Sequence, residues 1–471
     1  MPLIILVADG ARPDSLASAL DDGSLPALAR LRAEGGLHTV TTAFPSVTGP
    51  AYAPFLMGRY PGPIGLPGLR WFDRERRVTS FPHYTRSYVG SEMRKVDSDL
   101  DPSAPTLFEL AGPGLGALNV IGRGLDPRAR LGRSPRFVSR AARTHFSGNV
   151  RGWLQIDRDI GAELARRVIS DRPRVVFCAL TGIDKTSHAE GHDSPIVREA
   201  MRIVDETAAL LRSELERAGE WESSHLWIVS DHGHSPVRQH EDLAGLLREW
   251  GHGIIAHPWV FGSGRDVAVM VSGNAMGHLY LELDRRQRPW WPELAPRWEP
   301  LAAALLGRPS VDLLLLPHDV DRCEVRAPGR GGAFVERHRS DSDTRYSYHP
   351  THGDPLGLGG ELAGLDASAA HDACVGIDYP DALVQISHLA GAARSGEMMI
   401  SAARDWDLRS RYEPIPHLSS HGALHREHML VPLLTSSAAR RRPRRTVDIM
   451  PSALEAMGLP VPPGLDGRSF F

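Results

Sequence analysis

The chain has 471 residues, and its composition, 42% hydrophobic and 24% charged, is typical of a soluble globular protein. This length predicts about two to three domains. A formal net charge of −3 argues against bulk electrostatic binding to nucleic acid or to an anionic membrane. Cys178, Cys323 and Cys374 are widely spaced and form no Cys-x-x-Cys pair, which argues against a disulfide framework and a thiolate zinc site.

Short apolar runs alternate with segments of helical periodicity at both ends of the chain. In chain order the pattern predicts a strand at Leu3–Ala8, a helix near Leu25–Glu34, strands at Leu37–Thr42 and Arg174–Leu180, a long helix after Ser194, strands at His225–Ser230 and Met429–Leu434, and a helix at Thr446–Met457. Leu3–Ala8 is entirely apolar, as expected of a strand covered on both faces. This alternation predicts an α/β fold with a mainly parallel central sheet that is flanked by helices.

The pattern changes in the middle of the chain. Val267–Val271 and His278–Glu282 predict a hairpin, and Arg326–Gly360 is polar, charged and rich in glycine. We interpret residues 242–370 as an inserted, smaller α+β cap, and residues 1–241 and 371–471 as a discontinuous catalytic core. A second polar insertion is expected at Arg70–Asp101.

The N-terminal segment lacks the features of a signal peptide, because no basic region, long apolar core or small-residue cleavage site precedes Asp9. No run of about 18 apolar residues occurs, so no membrane span is expected. We expect a cytoplasmic location. We further expect a small-molecule substrate, no nucleic-acid polymer or membrane as a partner, and allow for a homo-oligomer.

Acidic side chains follow three of the predicted strands. Asp9 comes directly after the first strand, Asp184 follows the run that ends at Leu180, and Asp231-His232-Gly233 follows the next strand. Ligands of parallel sheets bind at the carboxyl ends of the strands, so these side chains are expected to meet. Carboxylate and imidazole groups at such an edge suit Zn²⁺, and also Mn²⁺ or Fe.

Several histidines compete for places in such a site. His188 lies four residues after Asp184 and is preferred to His192, one further i+4 step along the chain. His421, beside Gly422, is preferred to His425 and His428 in a His-rich loop. We expect His234 to line the site or to bond to a ligand rather than to bind a metal itself.

Thr48, in the segment Phe44-Pro45-Ser46-Val47-Thr48, is the candidate nucleophile. A threonine hydroxyl attacks only when a metal or a base helps it to ionise. The alternative interpretation is that Thr48 only caps a helix.

Together these segments resemble the alkaline phosphatase superfamily, and most closely its type I phosphodiesterase/nucleotide pyrophosphatase branch. The matching segments are Val7-Ala8-Asp9-Gly10, Phe44 to Thr48, Met57-Gly58-Arg59-Tyr60-Pro61, Asp184 with His188, Asp231-His232-Gly233, His421-Gly422, Thr446 to Pro451 and Gly464 to Ser469. As an ordered set they are highly specific, although each is weak by itself.

The resemblance implies a two-metal hydrolase with a fold like that of alkaline phosphatase. One metal would be held by Asp9, Thr48, Asp231 and His232, and the other by Asp184, His188 and His421. Thr48 would attack phosphorus and form a phosphothreonine, which water then hydrolyses. The branch often has an asparagine that donates to a phosphate oxygen, but Leu69 stands at that position here.

The expected activity is cleavage of phosphodiester or phosphoanhydride bonds. The alternatives are hydrolysis of a phosphonate or phosphate monoester at the same site, and a metal-binding pseudoenzyme that binds without turnover. The two insertions are expected to form the substrate pocket. Its candidate substrate contacts are Arg70, Trp71, Phe72 and Arg86.

Overall fold

The computed structural model describes residues 2–75, 84–257, 266–340, 343–409 and 415–471. Its helices are α1 (Pro13–Asp21), α2 (Pro26–Glu34), α3 (Ala53–Met57), α4 (Val96–Asp99), α5 (Leu107–Ala111), α6 (Pro135–Phe146), α7 (Val150–Asp171), α8 (Gly182–Glu190), α9 (Pro195–Arg217), α10 (Leu243–Glu249), α11 (Trp291–Leu306), α12 (Ala367–Cys374), α13 (Ala382–Ala390), α14 (Arg426–Met429) and α15 (Ile449–Ala456). Its strands are β1 (Leu3–Ala8), β2 (Leu37–Thr41), β3 (Arg70–Phe72), β4 (Thr85–Ser87), β5 (Gly114–Ala117), β6 (Arg130–Leu131), β7 (Val175–Leu180), β8 (His225–Val229), β9 (Ser235–His240), β10 (Ile254–Ala256), β11 (Val267–Ser272), β12 (Met276–Leu281), β13 (Val311–Pro317), β14 (Arg322–Ala327), β15 (Gly331–Arg339), β16 (Thr344–Gly353), β17 (Leu362–Leu365), β18 (Met398–Ala402), β19 (Asp405–Asp407), β20 (Ser419–Ser420) and β21 (Leu430–Thr435).

The main sheet joins seven of the described strands in the order β2-β21-β8-β1-β7-β5-β6. β1 lies at its centre and pairs in parallel with β7 and with β8. β21 runs antiparallel to both of its neighbours, β8 and β2. The prediction of a mainly parallel sheet is therefore confirmed, with β21 as a reversed strand.

Helices cover both faces of this sheet. Successive side chains of β1 point to opposite faces, so its apolar residues pack against both layers of helices. Leu3, Ile5 and Val7 belong to a buried cluster with residues of α3, α5 and α15. Ile4 and Leu6 belong to a second cluster with residues of α1, α2, α7 and α9. Burying each large aliphatic side chain contributes about 1.5–3 kcal/mol. A strand that is apolar at every position is therefore stable only between two such layers.

A second sheet, mostly antiparallel, joins nine strands of the described ranges in the order β10-β11-β12-β18-β13-β14-β15-β16-β17. Residues of α11 pack on one of its faces, and residues of α12 and α13 pack on the other. β18 (Met398–Ala402) lies between β12 and β13, in the middle of the sheet. The second sheet therefore extends across the boundary predicted at residue 370, because β18, which follows that boundary, pairs with β12 and β13, which precede it.

The polar stretch Arg326–Gly360 forms long strands of this second sheet rather than loops. In β15, Ala333 and Val335 are buried against the α12–α13 side, while Phe334 and Glu336 on the opposite side are only half-buried. A sheet face that remains in contact with water keeps its polar side chains. The polar face masks the alternation that would identify these strands in the sequence.

Smaller elements complete the edge of the main sheet. β9 pairs in parallel with β19 and antiparallel with β20, which brings the chain after β8 next to the segment before His421. The segment after β7 forms a separate short helix, α8, before the predicted long helix α9 begins at Pro195. Among the described helices, none combines the length and apolarity required to cross a membrane.

Candidate active site

Three acidic side chains lie at the edge of the main sheet where β1, β7 and β8 end. Asp9 follows β1 directly, Asp231 lies two residues beyond β8, and Asp184 is in the first turn of α8. The three strands are adjacent and parallel, so their carboxyl ends meet at this edge. All three carboxylates are at most 1% exposed. Buried anions at this density require compensating positive charge.

The Thr48 hydroxyl points at this acidic edge. Its Oγ1 lies 3.3 Å from Asp9 Oδ1 and 3.1 Å from His232 Nε2. The short 3₁₀ turn that follows, Pro50–Tyr52, has Gly49 at its N-cap and no side-chain capping bond. The helix-capping alternative therefore does not describe this structure, in which the hydroxyl contacts the acidic edge.

Helix α8 presents Asp184 and His188 on one face, since residues four apart in a helix are neighbours. His188 Nε2 lies 3.1 Å from Asp184 Oδ1. Lys185 has no role predicted from the sequence, yet its Nζ lies 2.7 Å from Asp184 Oδ2. Burial lowers the pKa of Lys185, but Asp184 and Asp9 outweigh it and raise the pKa, so Lys185 is a fixed cation. Sequence position gave no signal of this contact, because adjacent helical side chains usually diverge.

His421 reaches the site from the segment that follows β20. Its ring stacks on that of His232, with the centroids 3.6 Å apart and an interplanar angle of 6°. Its Nε2 lies 3.6 Å from Asp184 Oδ1. His421 thus lies at the acidic edge, next to His232 and Asp184.

The competing histidines have other partners. These contacts join His192 Nε2 to Asp193 Oδ2 at 3.2 Å, His425 Nδ1 to Glu427 Oε2 at 2.9 Å, and His428 Nε2 to Ser235 Oγ at 2.8 Å. His428 is buried beside β9 and has a supporting role in that packing. These three imidazoles lie outside the groups of candidate metal ligands formed by described residues.

A further imidazole, that of His234, belongs to the site. It is fully buried, and its Nε2 lies 3.0 Å from Asp184 Oδ1. Asp184 Oδ1 thus faces ring nitrogens of His188, His234 and His421. His234 is expected near the site from the sequence, but its distance from Asp184 Oδ1 is almost equal to that of the predicted ligand His188.

Side chains that could hold a metal fall into three overlapping groups. They are Asp9, Asp231 and His232; Asp184, His188 and His234; and Asp184, His232 and His421. The first group matches three of the four ligands that the resemblance implies for one metal. In the second group His234 joins Asp184 and His188, and in the third group His421 joins Asp184 and His232. The structure thus brings the seven predicted residues together, with a different arrangement around Asp184.

The hydrogen-bond partners of the imidazoles determine how the rings face the acids. The Nδ1 atoms of His188, His421 and His232 contact the carbonyl oxygens of Ser419, Ser46 and Gly233 at 2.8, 2.9 and 3.1 Å. A carbonyl oxygen only accepts, so each Nδ1 donates its hydrogen and each Nε2 faces the carboxylates. Asp231 Oδ2 is buried without a hydrogen-bond partner among the described residues. Such inward-facing donor atoms fit divalent cations.

The protonation of the site reflects its excess of negative charge. Burial, reinforced by Asp9, raises the pKa of Asp231 to about 8. Burial alone lowers the pKa of His232, but Asp231 and Asp9 outweigh it and raise the pKa to about 9. Protons therefore compensate the buried carboxylates at neutral pH. A cation that binds between these groups would displace those protons.

The predicted substrate contacts lie on the short hairpin of β3 and β4. Trp71 is fully buried, Phe72 is buried, and Arg86 Nε pairs with Asp99 Oδ2 at 2.7 Å. These side chains are engaged in packing and ion pairing, and their contact with a substrate stays a prediction. Arg70 is half-buried, and its Nη1 lies 3.3 Å from the carbonyl oxygen of Val271. A role for Arg70 at the substrate stays a prediction.

An apolar surface lies beside the nucleophile segment. A Cβ atom placed on Gly49 would be 3.6 Å from Val120 Cγ1 and 4.0 Å from Leu69 Cδ1. Leu69 is therefore close to Gly49, the residue that follows Thr48. Its side chain offers no hydrogen bond to a phosphoryl oxygen.

Two solved structures share the fold of the chain. One is phosphonoacetate hydrolase from Sinorhizobium meliloti 1021 in complex with phosphonoacetate, which is 17% identical with a TM-score of 0.58 over 97% of this chain and 96% of that chain. The other is murine ectonucleotide pyrophosphatase/phosphodiesterase 5 in complex with AMP, which is 14% identical with a TM-score of 0.57 over 98% of this chain and 96% of that chain.

The family assignment comes from the sequence. No curated protein matches the chain. Residues 3–423 match the family model described as type I phosphodiesterase/nucleotide pyrophosphatase, which spans the acidic edge, the nucleophile segment and His421. The protein therefore belongs to the type I phosphodiesterase/nucleotide pyrophosphatase family.

Proposed function

We propose that the protein hydrolyses phosphodiester or phosphoanhydride bonds, with Thr48 as the nucleophile and two divalent cations as cofactors. The observation that carries this proposal is the position of Thr48 Oγ1, between Asp9 Oδ1 and His232 Nε2. Family membership supports hydrolysis of phosphate esters, and the buried donor atoms support the cations.

The donor atoms suit Zn²⁺ best, with Mn²⁺ or Fe as alternatives, because carboxylates and imidazoles are mixed in both halves of the site. In the proposed division one cation has Asp9, Thr48, Asp231 and His232 as ligands, and the other has Asp184, His188 and His421. Bound cations of this kind favour ionisation of a hydroxyl and offset the charge of a phosphoryl group.

The residues of the chain have separate roles in the reaction. Asp9 Oδ1 accepts the hydrogen bond of the Thr48 hydroxyl and orients Oγ1. The Thr48 hydroxyl gives up its proton to solvent and Oγ1 attacks phosphorus. An Oγ1–P bond forms as the bond between phosphorus and the leaving oxygen breaks with its electron pair, and the leaving oxygen takes a proton from water. A water molecule then forms a bond to phosphorus as the Oγ1–P bond breaks, and a proton of that water passes to Oγ1 and restores the Thr48 hydroxyl. Lys185 pairs with Asp184 and offsets part of the negative charge of the acidic edge.

The surface beside Thr48 favours a diester over a monoester. Leu69 and Val120 form an apolar wall next to Gly49, and such a wall cannot stabilise an additional phosphoryl charge. A phosphate monoester has a second pKa of about 6 and is largely a dianion at neutral pH, whereas a diester is a monoanion.

The second candidate is hydrolysis of a phosphate monoester or a phosphonate. The cationic Lys185 favours it, because a dianion gains more from a nearby ammonium group than a monoanion does. A binding protein without turnover is the third candidate, and the intact contacts of Thr48 argue against it.

A substrate panel tests these alternatives. Metal analysis and rates are measured on one sample loaded with Zn²⁺, using bis(p-nitrophenyl) phosphate, p-nitrophenyl phosphate and a p-nitrophenyl phosphonate ester. We expect the highest kcat/KM for the diester. A preference for the monoester or the phosphonate would support the second candidate, and a metal-loaded protein inactive on the whole panel would refute the proposed hydrolysis of phosphate esters.

A further inference from the structure

His234 occupies the site in a way that its expected supporting role does not explain. The ring is fully buried, and its Nε2 lies 3.0 Å from Asp184 Oδ1. The corresponding distance for His188, a predicted ligand, is 3.1 Å. The two rings approach edge to face, with centroids 5.0 Å apart and an interplanar angle of 79°. His188 and His234 therefore present the same atom to the same oxygen from different directions.

The partner of the other ring nitrogen assigns the tautomer of His234. Ser419 Oγ lies 2.9 Å from the carbonyl oxygen of Ser235 and 3.1 Å from His234 Nδ1. The carbonyl oxygen can only accept, so the shorter contact takes the single hydroxyl hydrogen of Ser419. Ser419 Oγ then accepts the hydrogen of His234 Nδ1. This arrangement leaves Nε2 with a lone pair that faces the Asp184 carboxylate.

Two acceptor atoms at 3.0 Å repel each other unless a positive charge lies between them. The same arrangement holds for His188, whose Nδ1 donates to the carbonyl oxygen of Ser419. One residue, Ser419, therefore fixes both rings, through its hydroxyl and through its carbonyl group. A hydrogen bond from the second ring nitrogen is the usual way in which a metal-binding histidine is oriented.

The backbone also makes room for the ring. Gly10 has a φ of 81°, and a Cβ atom at this position would lie 2.9 Å from both Nε2 and Cδ2 of His234. Any other residue would therefore push the ring from its place beside Asp184. Gly10, next to the acidic residue Asp9, thus leaves the space in which His234 approaches Asp184.

We infer that His234 is a direct ligand of the cation that Asp184 and His188 bind. This inference rests on the proposed function, because it assumes that the site binds divalent cations. It adds an imidazole to the half of the site that already contains His188 and His421. The Asp184 half thereby becomes rich in nitrogen, while the Asp9 and Asp231 half stays rich in oxygen.

Unequal donor sets give the two halves unequal metal preferences. Imidazole ligands favour Zn²⁺, Co²⁺ and Ni²⁺, whereas carboxylate oxygens also suit Mn²⁺ and Mg²⁺. We therefore expect the Asp184 half to hold Zn²⁺ more tightly than the other half, and to lose that advantage when His234 is removed.

Competition with a chromophoric chelator tests the inference on the full-length protein. Zn²⁺ affinity is measured for the wild type, for His234→Ala and for the control His192→Ala, which removes the histidine paired with Asp193. We expect the wild type and the control to bind two Zn²⁺ ions alike. His234→Ala should weaken one of the two sites by about 100-fold or more, since even an indirect partner of a metal ligand changes affinity by about 10–100-fold.

Two further measurements separate ligation from a packing role. His234→Gln keeps the bulk of the side chain and should show the same loss, while its circular dichroism and Tm without metal stay near those of the wild type. The visible absorption of bound Co²⁺, which reports its ligands, should change in both variants and not in His192→Ala.

The outcomes distinguish this inference from the proposed function. If the His234 variants bind two Zn²⁺ ions with unchanged affinity and an unchanged Co²⁺ spectrum, His234 is only a hydrogen-bond partner of Asp184. The inference is then overturned while the two-cation hydrolase stands. If the wild type binds no Zn²⁺, Mn²⁺ or Co²⁺, the cofactor part of the proposed function and the inference fail together.

Discussion

Replacement of Thr48 by alanine separates catalysis from metal binding. The hydroxyl is one of several donor groups beside the cation that Asp9, Asp231 and His232 would hold, and those three side chains contact one another without it. We therefore expect Thr48→Ala to keep a metal content near that of the wild type while it loses turnover.

The size of the loss follows from the position of Oγ1. A well-oriented internal nucleophile has an effective concentration of about 10⁵ M or more, compared with about 55 M for water, so its removal should lower kcat by about 10³-fold or more. Thr48→Ser keeps the hydroxyl and removes a methyl group, worth about 0.8 kcal/mol, which corresponds to a change of about fourfold.

Steady-state hydrolysis of the best substrate in the panel measures both variants, and metal analysis is made on the same samples. Mass spectrometry of acid-quenched wild type should reveal a phosphorylated peptide that contains Thr48. A Thr48→Ala enzyme within tenfold of the wild-type kcat would refute the covalent mechanism. Loss of metal in that variant would instead refute the claim that the remaining ligands suffice.

Three other predictions address the metal and the stability of the fold. Asp184→Ala should lower the bound metal and the activity together, measured by metal analysis, and retention of two ions per chain would contradict its assignment. Burial raises the pKa of Asp157 to about 7 in the folded protein. The protonated Asp157 therefore contributes its full share to the free energy of unfolding below about pH 4, and this contribution is lost as the pH rises through 7. The free energy of unfolding should fall by up to about 4 kcal/mol over this range. The free energy of unfolding of Asp157→Asn, measured by urea denaturation, should therefore rise relative to that of the wild type when the pH is raised from 5 to 8. The same difference between variant and wild type at pH 5 and at pH 8 would contradict this prediction. Arg445→Ala leaves the buried Asp381 carboxylate, 2.7 Å from the guanidinium, without its charged partner and should cost about 3–5 kcal/mol of stability. Arg444→Ala removes an ion pair with Asp372 that is accessible to solvent and should cost at most about 1 kcal/mol, so similar costs for the two variants would refute the burial argument.

The centre of the fold could be predicted because its strands are buried on both faces. β1 begins and ends at the residues predicted from the apolar run Leu3–Ala8, and β8 differs from the prediction by one residue. The helix after Ser194 has a regular apolar stripe because a single face of it packs on the sheet. In these elements the hydrophobic pattern and the tertiary environment agree.

The strands of the second sheet could not be recognised in the sequence, because one face of the sheet carries polar side chains. β15 and β16 were interpreted as part of a polar insertion, and β18 was assigned to the core. β18 pairs with strands that are distant in the sequence, and no local sequence pattern predicts such a pairing. In the hairpin of β3 and β4, Trp71 and Arg86 have partners inside the fold, and the sequence carries no local signal of these contacts.

The site itself was predictable at the level of residue type and position along the strands. Asp9 and Asp231 follow strands, and that rule needs no knowledge of side-chain geometry. The distances around Asp184 could not be predicted, because they depend on how α8 packs against the segment after β20. The role of His234 depends on the same packing and on the missing side chain of Gly10.

The central position of β1 has a consequence for biosynthesis. β1 pairs on one side with Val175–Leu180 and on the other with His225–Val229, and both of these strands are translated much later than β1 itself. His421 is made later still. We therefore expect a nascent chain that ends before His225–Val229 to leave one edge of the apolar strand β1 unpaired. A chain that ends before His421 lacks one of the side chains proposed to bind metal, so the proposed metal site is completed late in synthesis.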